Sequence, residues 1–277
     1  MDADRFQELT ANLTMLKEDS VVQDFFQILT SQAVEWADKG WGGYIKTATS
    51  LEIVKPIRDL TGAHREIQPL LDFFDEHSVR YNLTTRTSWF EYYTQHLQAP
   101  EAHIGQYSGA VASRLLPPRL FVGEERDELV SNLTELHKSK FNLWLMLVTP
   151  KAFPHTHTSA LHPTWSDAVW SIRINAKWDQ YHNQSADASW DYFNSVHRAM
   201  EPLRKLAPEM GVAINEADVW EKDPEDSFWG KDNYQVLLAI KRKIDPDNVM
   251  TNYGAVAWEP DDARFKCYPK QKRRGSK

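Results

Sequence analysis

Ten residues, VWSIRINAKW at 169–178, alternate apolar and polar side chains with a period of two. Trp170, Ile172, Ile174 and Ala176 fall on one face of an extended segment, and Ser171, Arg173 and Asn175 on the other, because successive side chains of a strand point in opposite directions. A strand dry on one side and polar on the other belongs to an antiparallel sheet with one covered face. Its polar face is then free to line a cavity. A second run, FNLWLMLVT at 141–149, is almost wholly apolar and reads as a central strand.

Around these two strands the sequence switches between periods. Residues 6–38 read as helix, with Phe25, Phe26, Leu29, Ala33 and Trp36 at three-to-four spacing. Residues 41–45 read as a short strand and 66–77 as a helix carrying Ile67, Leu70, Leu71, Phe73 and Phe74. Residues 79–85 give a strand, 89–97 an aromatic helix and 124–137 a further helix after the break at Pro117-Pro118. A helix over 188–207, a short strand at 212–214 and a patterned helix at 233–243, stopped by Asp245-Pro246, complete the pass. Strands separated by helices without regular βαβ spacing imply an α+β fold: an antiparallel or mixed sheet with helices packed on one face.

Composition narrows the function classes. A net charge of −7 and a pI near 5.8 are wrong for a nucleic-acid binder, which carries a basic face. The basic run at 270–274 reads as a solvated end. A single cysteine, Cys267, excludes an internal disulfide, and the start of the chain has no secretory pattern. No stretch approaches the roughly 18 apolar residues of a membrane span. The expected compartment is the cytoplasm, against which stand four Asn-X-Ser/Thr sequons at Asn12, Asn82, Asn132 and Asn183. Eleven tryptophans, with ten Tyr and twelve Phe, fit an aromatic core or a pocket for a flat organic ligand.

Few groups invite chemistry. His155, His157 and His162 lie in a segment bracketed by prolines, with no acidic residue or cysteine at ligand spacing, and read as a loop rather than a metal centre. GxGxxG, P-loop and GxSxG motifs are missing. The dense region is 211–250. There Asn215, Glu216 and Asp218 cluster where the chain leaves a strand, as ligand contacts or as caps of a turn. Candidate catalytic residues are therefore Asp218, Glu216 and Asn215, with Arg173, Asn175, Tyr44 and Trp41 as candidate substrate contacts.

The run NEAD…FWGKDNYQVLLAIKRKIDPDNV, beginning at Asn215, resembles the C-terminal signature of berberine-bridge-like enzymes of the vanillyl-alcohol-oxidase superfamily, particularly fungal FAD-linked oxidoreductases. Ser113-Arg114-Leu115-Leu116-Pro117-Pro118 is similar to the family's SRLIPR segment, and 162–168 (HPTWSDA) to its NPAWRDA segment. The resemblance implies a substrate-binding α+β domain over 1–208, a berberine-bridge-like segment over 209–262 and a disordered basic tail over 263–277. It implies FAD as the family cofactor, with Asn233 and Tyr234 near the flavin or the substrate cavity, and an aromatic or polyketide-like metabolite as substrate. The family's N-terminal FAD domain has no counterpart in this sequence, so FAD is not expected to be held by this chain alone. The tyrosine that usually stands two residues before the Asn of NEAD is Ala213, which removes a customary general base.

Two functions follow from this. One is an FAD-linked oxidoreductase component whose FAD half is supplied separately, since two-electron chemistry needs a cofactor. The other is a cofactor-free cyclase or isomerase, of the pericyclase or dehydrative ring-closing kind, that reuses the substrate cavity. A face around Trp229, Asn233 and Tyr234 left without the FAD domain implies either a homodimer or a separate FAD-domain partner.

Overall fold

The computed structural model describes residues 5–14, 16–56, 60–94, 107–152, 159–179 and 186–270. Seven strands form one sheet: β1 (Phe6–Asn12), β2 (Gly42–Lys46), β3 (Ser50–Pro56), β4 (Tyr81–Arg86), β5 (Tyr107–Leu116), β6 (Asn142–Leu147) and β7 (Trp170–Asp179). Their order is β4-β1-β3-β2-β6-β7-β5, and every paired neighbour is antiparallel. The α+β architecture expected from strands separated by helices without regular βαβ spacing is the one observed.

Four helices, α1 (Asp19–Asp38), α2 (Leu60–Glu76), α4 (Gly123–Lys138) and α5 (Ala186–Leu206), supply the apolar layer; α3 (Trp89–Tyr92) is a single turn. Phe25, Phe26, Leu29 and Trp36 of α1, Ile67 and Phe74 of α2, Leu133 of α4 and Met200 of α5 are buried with Ile45, Ile53, Leu145, Ile172 and Ile174 of the strands. One continuous core thus runs from Leu9 to Met210. Most of the aromatic wealth of the first half is spent here, in contacts such as Phe25 on Phe73 and Phe121 on Trp170. The sharp entry into β2 depends on Gly43, whose φ is +140° and where a Cβ would stand 2.2 Å from the Glu52 carbonyl.

Three expectations are corrected. Residues 6–12 form a strand inside the sheet, not the start of the first helix: β1 pairs with both β3 and β4, so its residues are buried on both faces and show neither period clearly. Residues 212–214 are not a strand. Val212 donates its N–H to the Ser227 carbonyl, and Ile214–Glu216 is a 3-10 turn. The tail is ordered as far as Lys270: Ala263–Phe265 is a 3-10 turn, Tyr268 stacks on Tyr253 with centroids 4.0 Å apart, and the Trp220 and Trp190 indoles donate to the carbonyls of Pro269 and Lys270. Residues 271–277 lie outside the described residues. Strands β3 and β5 carry weaker patterns than β7 and are additional to the sequence reading.

After α5 the chain crosses the β5 end of the sheet and forms α6 (Pro224–Trp229) and α7 (Lys231–Ile244). Helix α7 is amphipathic, yet Val236, Ile240 and Ile244 are 61%, 49% and 68% exposed, and Val249 and Met250 beyond it are exposed too. No described helix is long and apolar enough to cross a membrane.

Candidate functional site

The face of the sheet away from the main helical layer is polar over β2, β6, β7 and β5. The register sets Lys46 opposite Trp144, Trp144 opposite Arg173 and Arg173 opposite Ser113, so these four residues form one row across four strands. The Lys46 ammonium lies 4.5 Å and the Arg173 guanidinium 4.1 Å from the centre of the Trp144 ring, which holds the indole between two cations. Tyr44 meets the same indole edge-on, with centroids 6.3 Å apart. Arg173 also donates from Nη1 to Glu216 Oε1 at 2.8 Å, tying the 3-10 turn to the sheet.

Two shallow cavities flank this row. One, of about 300 Å³, is walled by Lys46, Asn142, Trp144, Arg173 and Asn175. The other, of about 410 Å³, is walled by Gly109, Arg173, Asn175, Lys177, Asn215 and Glu216. Arg173 Nε, Asn175 Oδ1, Ser113 Oγ and Ser171 Oγ are all buried on this face with no hydrogen-bond partner among the described residues. Buried polar atoms are nearly always paired in folded proteins, so a row of four marks a surface built for something polar to lie against. Arg173, Asn175, Tyr44, Asn215 and Glu216 are therefore brought together. Sequence reasoning missed Trp144, Lys46 and Lys177; the alternation within 141–149 carried the signal for Trp144, masked by its apolar neighbours.

The remaining candidates lie elsewhere. Trp41 is buried on the helical side, where its indole donates to Glu66 Oε2 at 2.8 Å. It does not reach the open face. Asp218 turns inward. It accepts from the Trp220 N–H at 2.9 Å, contacts His197 Nδ1 at 2.6 Å and is ion-paired with Arg204. Burial alone would raise its pKa, but the His197 hydrogen bond, the Arg204 charge and the Trp220 N–H together hold it below the usual carboxylate range. All this marks a structural anchor.

Asn233 latches a loop, donating from Nδ2 to the Leu161 carbonyl at 2.8 Å. Tyr234 is buried, and its hydroxyl accepts from the Ala257 N–H at 3.3 Å; burial raises its pKa. Neither faces the sheet's open row. The exposed apolar stripe of α7 begins two residues further on. His162 Nδ1 is 2.7 Å from Thr164 Oγ1, and its ring occupies the space where a Cβ on Gly211 would be. His155 and His157 lie outside the described residues, and no group of three metal-liganding side chains occurs among those described.

The three segments that drew attention in the sequence meet at one joint. Arg114 donates to the Met210 carbonyl at 2.6 Å and to Glu221 at 2.8 Å. The Thr164 hydroxyl accepts from the Gly211 N–H at 3.0 Å, and Asp218 pins α5 through His197 and Arg204. These motifs fasten the C-terminal segment to the sheet and so place Asn215 and Glu216 beside Arg173.

This fold, a single antiparallel sheet with helices on one side and a latched C-terminal segment, is similar to that of solved VAO-type flavoproteins. A VAO-type flavoprotein from Myceliophthora thermophila superimposes with a TM-score of 0.71 at 21% identity, covering 91% of this chain and 48% of that one. The berberine-bridge-like protein 1 of Physcomitrella patens gives 0.65 at 13% identity over 92% of this chain and 54% of that one. Residues 214–256 match the family model "Berberine and berberine like". Over that segment and in its fold, the chain is similar to the berberine-bridge-like, FAD-linked oxidoreductases. It is 28% identical over 253 residues to an FAD-linked oxidoreductase of Pyricularia oryzae, covering 88% of this chain and 42% of that protein. It is 25% identical over 223 residues to a bifunctional decalin synthase of Penicillium decumbens, covering 78% and 38%. The chain thus spans about two fifths of the length of the curated relatives it matches.

Proposed function

We propose that this chain is the substrate-binding part of an FAD-linked oxidoreductase acting on an aromatic or polyketide-like metabolite, with residues 1–208 as the substrate domain, 209–262 as the segment that shapes its rim, and a cytoplasmic location. The observation that carries the reading is the row of unpartnered buried polar atoms, Ser113, Ser171, Arg173 and Asn175, beside the Trp144 ring. Donors and acceptors next to a cation-flanked indole suit a planar molecule with carbonyl groups along its edge, which describes both a flavin ring and a polyketide or phenolic substrate. The fit is to a ring. No phosphate-cradling glycine motif is present in the sequence, so the pyrophosphate of FAD needs residues beyond these.

FAD, when bound, would accept the hydride or electron pair that the substrate gives up. Arg173 supplies a fixed positive charge and a free Nε–H for a carbonyl oxygen, and Glu216 holds that guanidinium in place. Asn175 Oδ1 accepts from a substrate hydroxyl, and Trp144 with Tyr44 sets the plane of the ring. In this reading Asp218 acts through position, by fixing the turn that carries Asn215 and Glu216. The apolar stripe of α7 packs on the FAD-binding part of the flavoprotein, whose length the relatives possess beyond the matched region.

A second reading, a ring-closing cyclase on the same face, is favoured by the decalin synthase relative and by the free Arg173 donor, which would polarise a dienophile carbonyl without any electron transfer. The flavoprotein containing this chain, incubated with a panel of phenolic and polyketide substrates, separates the two. Bleaching of the flavin band that Arg173→Gln slows by about one to two orders of magnitude, the cost of one charged hydrogen bond, supports the oxidase. Product formed with the flavin spectrum unchanged supports the cyclase, and turnover insensitive to both Arg173→Gln and Trp144→Ala removes the site from this face.

A further inference from the structure

Beside the edge strand β5, over Gly109 and Val111, lies a larger cavity, of about 500 Å³, distinct from the two that flank the open-face row. Its walls are aromatic and aliphatic: Phe193 of α5, Ile214 of the 3-10 turn, Phe228 of α6, and Tyr253, Trp258 and Tyr268 of the C-terminal strap. The strap is fastened over it. Tyr253 donates to the Val219 carbonyl at 2.6 Å, Tyr268 stacks on Tyr253, and the Trp220 indole holds the Pro269 carbonyl at 2.6 Å. A volume of this size accommodates a small organic ligand, and such sites combine mainly apolar walls with a few oriented polar groups.

The polar groups here have a definite sense. Most acceptors are already engaged, Asp218 by His197, Arg204 and the Trp220 N–H, and Glu221 Oε1 by Arg114 and Ser227; Glu221 Oε2, without a hydrogen-bond partner among the described residues, is held by the Arg204 charge 3.8 Å away. The donors are not. Trp258 Nε1–H is buried with no partner among the described residues, and Lys222, exposed at the rim, has no ion-pair partner among them. A buried N–H without an acceptor costs about 1–3 kcal/mol, a cost that a ligand's oxygen would relieve.

We infer that this cavity is a second small-molecule site, for a planar aromatic or conjugated compound bearing a carbonyl or carboxylate that meets Trp258 Nε1–H and Lys222. It borders the open face through Gly109 and Val111 and through the 3-10 turn, whose Ile214 faces the cavity while Asn215 and Glu216 face the sheet's polar row. The inference needs no flavin and stands whether the open face oxidises or cyclises.

2-Naphthoate is the probe, with binding to the whole protein measured by calorimetry and by saturation-transfer NMR. Ala217→Trp, placed on extended backbone at the cavity wall, fills the space, and about a tenfold or greater loss of affinity is expected. Trp258→Phe keeps the ring and removes the donor; a loss of about five- to tenfold is expected, and this variant carries the test if Ala217→Trp fails to fold. Absence of binding, or affinity unchanged in both variants with native circular dichroism, overturns the site. Binding that survives both variants but is lost in Arg173→Gln puts the probe on the open face and also overturns it.

Discussion

Replacing Asp218 by Asn tests whether this residue is an anchor or a reactive group. Its side chain is 2% exposed and is shared by His197, Arg204 and the Trp220 N–H, with the Arg204 side chain only 9% exposed. Breaking one partner of a buried ion pair costs about 3–5 kcal/mol because the other charge stays buried. Here Glu201 and Glu221 remain 3.6 and 3.8 Å from Arg204, so the lower end applies, about 3 kcal/mol. With about 2.1 cal/mol/K per residue, the unfolding entropy of 277 residues is about 0.6 kcal/mol/K, and Tm should fall by about 5 °C at pH 7.

The pH dependence supplies a second readout. Asp218 has its folded pKa depressed, so its contribution is present above the unfolded value near 3.9 and is lost as pH falls through the lower folded value. The gap between wild type and Asp218→Asn in thermal melts followed by circular dichroism should therefore be widest above about pH 5 and narrow progressively as the pH falls below the unfolded value. A Tm within 2 °C of wild type at pH 7 would refute the anchor and return Asp218 to the list of reactive groups.

Further outcomes are expected. The 277-residue chain expressed alone should pass gel filtration without flavin absorption, because it contributes a ring surface but no phosphate cradle; flavin bands that co-elute would refute this. Asn233→Ala should cost about 1 kcal/mol and loosen the 159–161 loop, seen as faster amide exchange there, without altering ligand binding at the open face. Ile240→Glu should leave Tm within about 1 °C, since the side chain is half exposed, while weakening association with the FAD-binding part; light scattering that shows a dimer lost on this substitution would instead identify a second copy as the occupant.

The covered sheet was legible from the alternation at 169–178 together with the helical repeats around it. That combination pointed to an antiparallel or mixed sheet with helices on one face, and the buried Trp170, Ile172 and Ile174 lie where the pattern puts them. Arg173 and Asn175 were likewise fixed to the open side by parity. Strand β1 was not legible, because it is buried on both faces and carries a buried polar residue on each, Gln7 and Glu8, so no apolar-polar alternation reveals its period. Among the site residues, the acidic cluster at 215–218 was visible as a cluster, but its division was not. Glu216 meets Arg173 and Asp218 meets Arg204 through partners 43 and 14 residues away.

What the sequence by itself determined is whatever depends on neighbours in the chain: helix and strand periods, the Asp-Pro stop after α7, and the polar face of β7. What only the tertiary structure decided is whatever depends on register and crossing. Strand order sets Lys46, Trp144, Arg173 and Ser113 in one row although they come from four separate strands. The C-terminal strap closes an aromatic cavity whose walls come from residues 109 to 268. Local propensity is settled within a few residues, whereas which side chains share a surface is settled by burial summed over the whole chain.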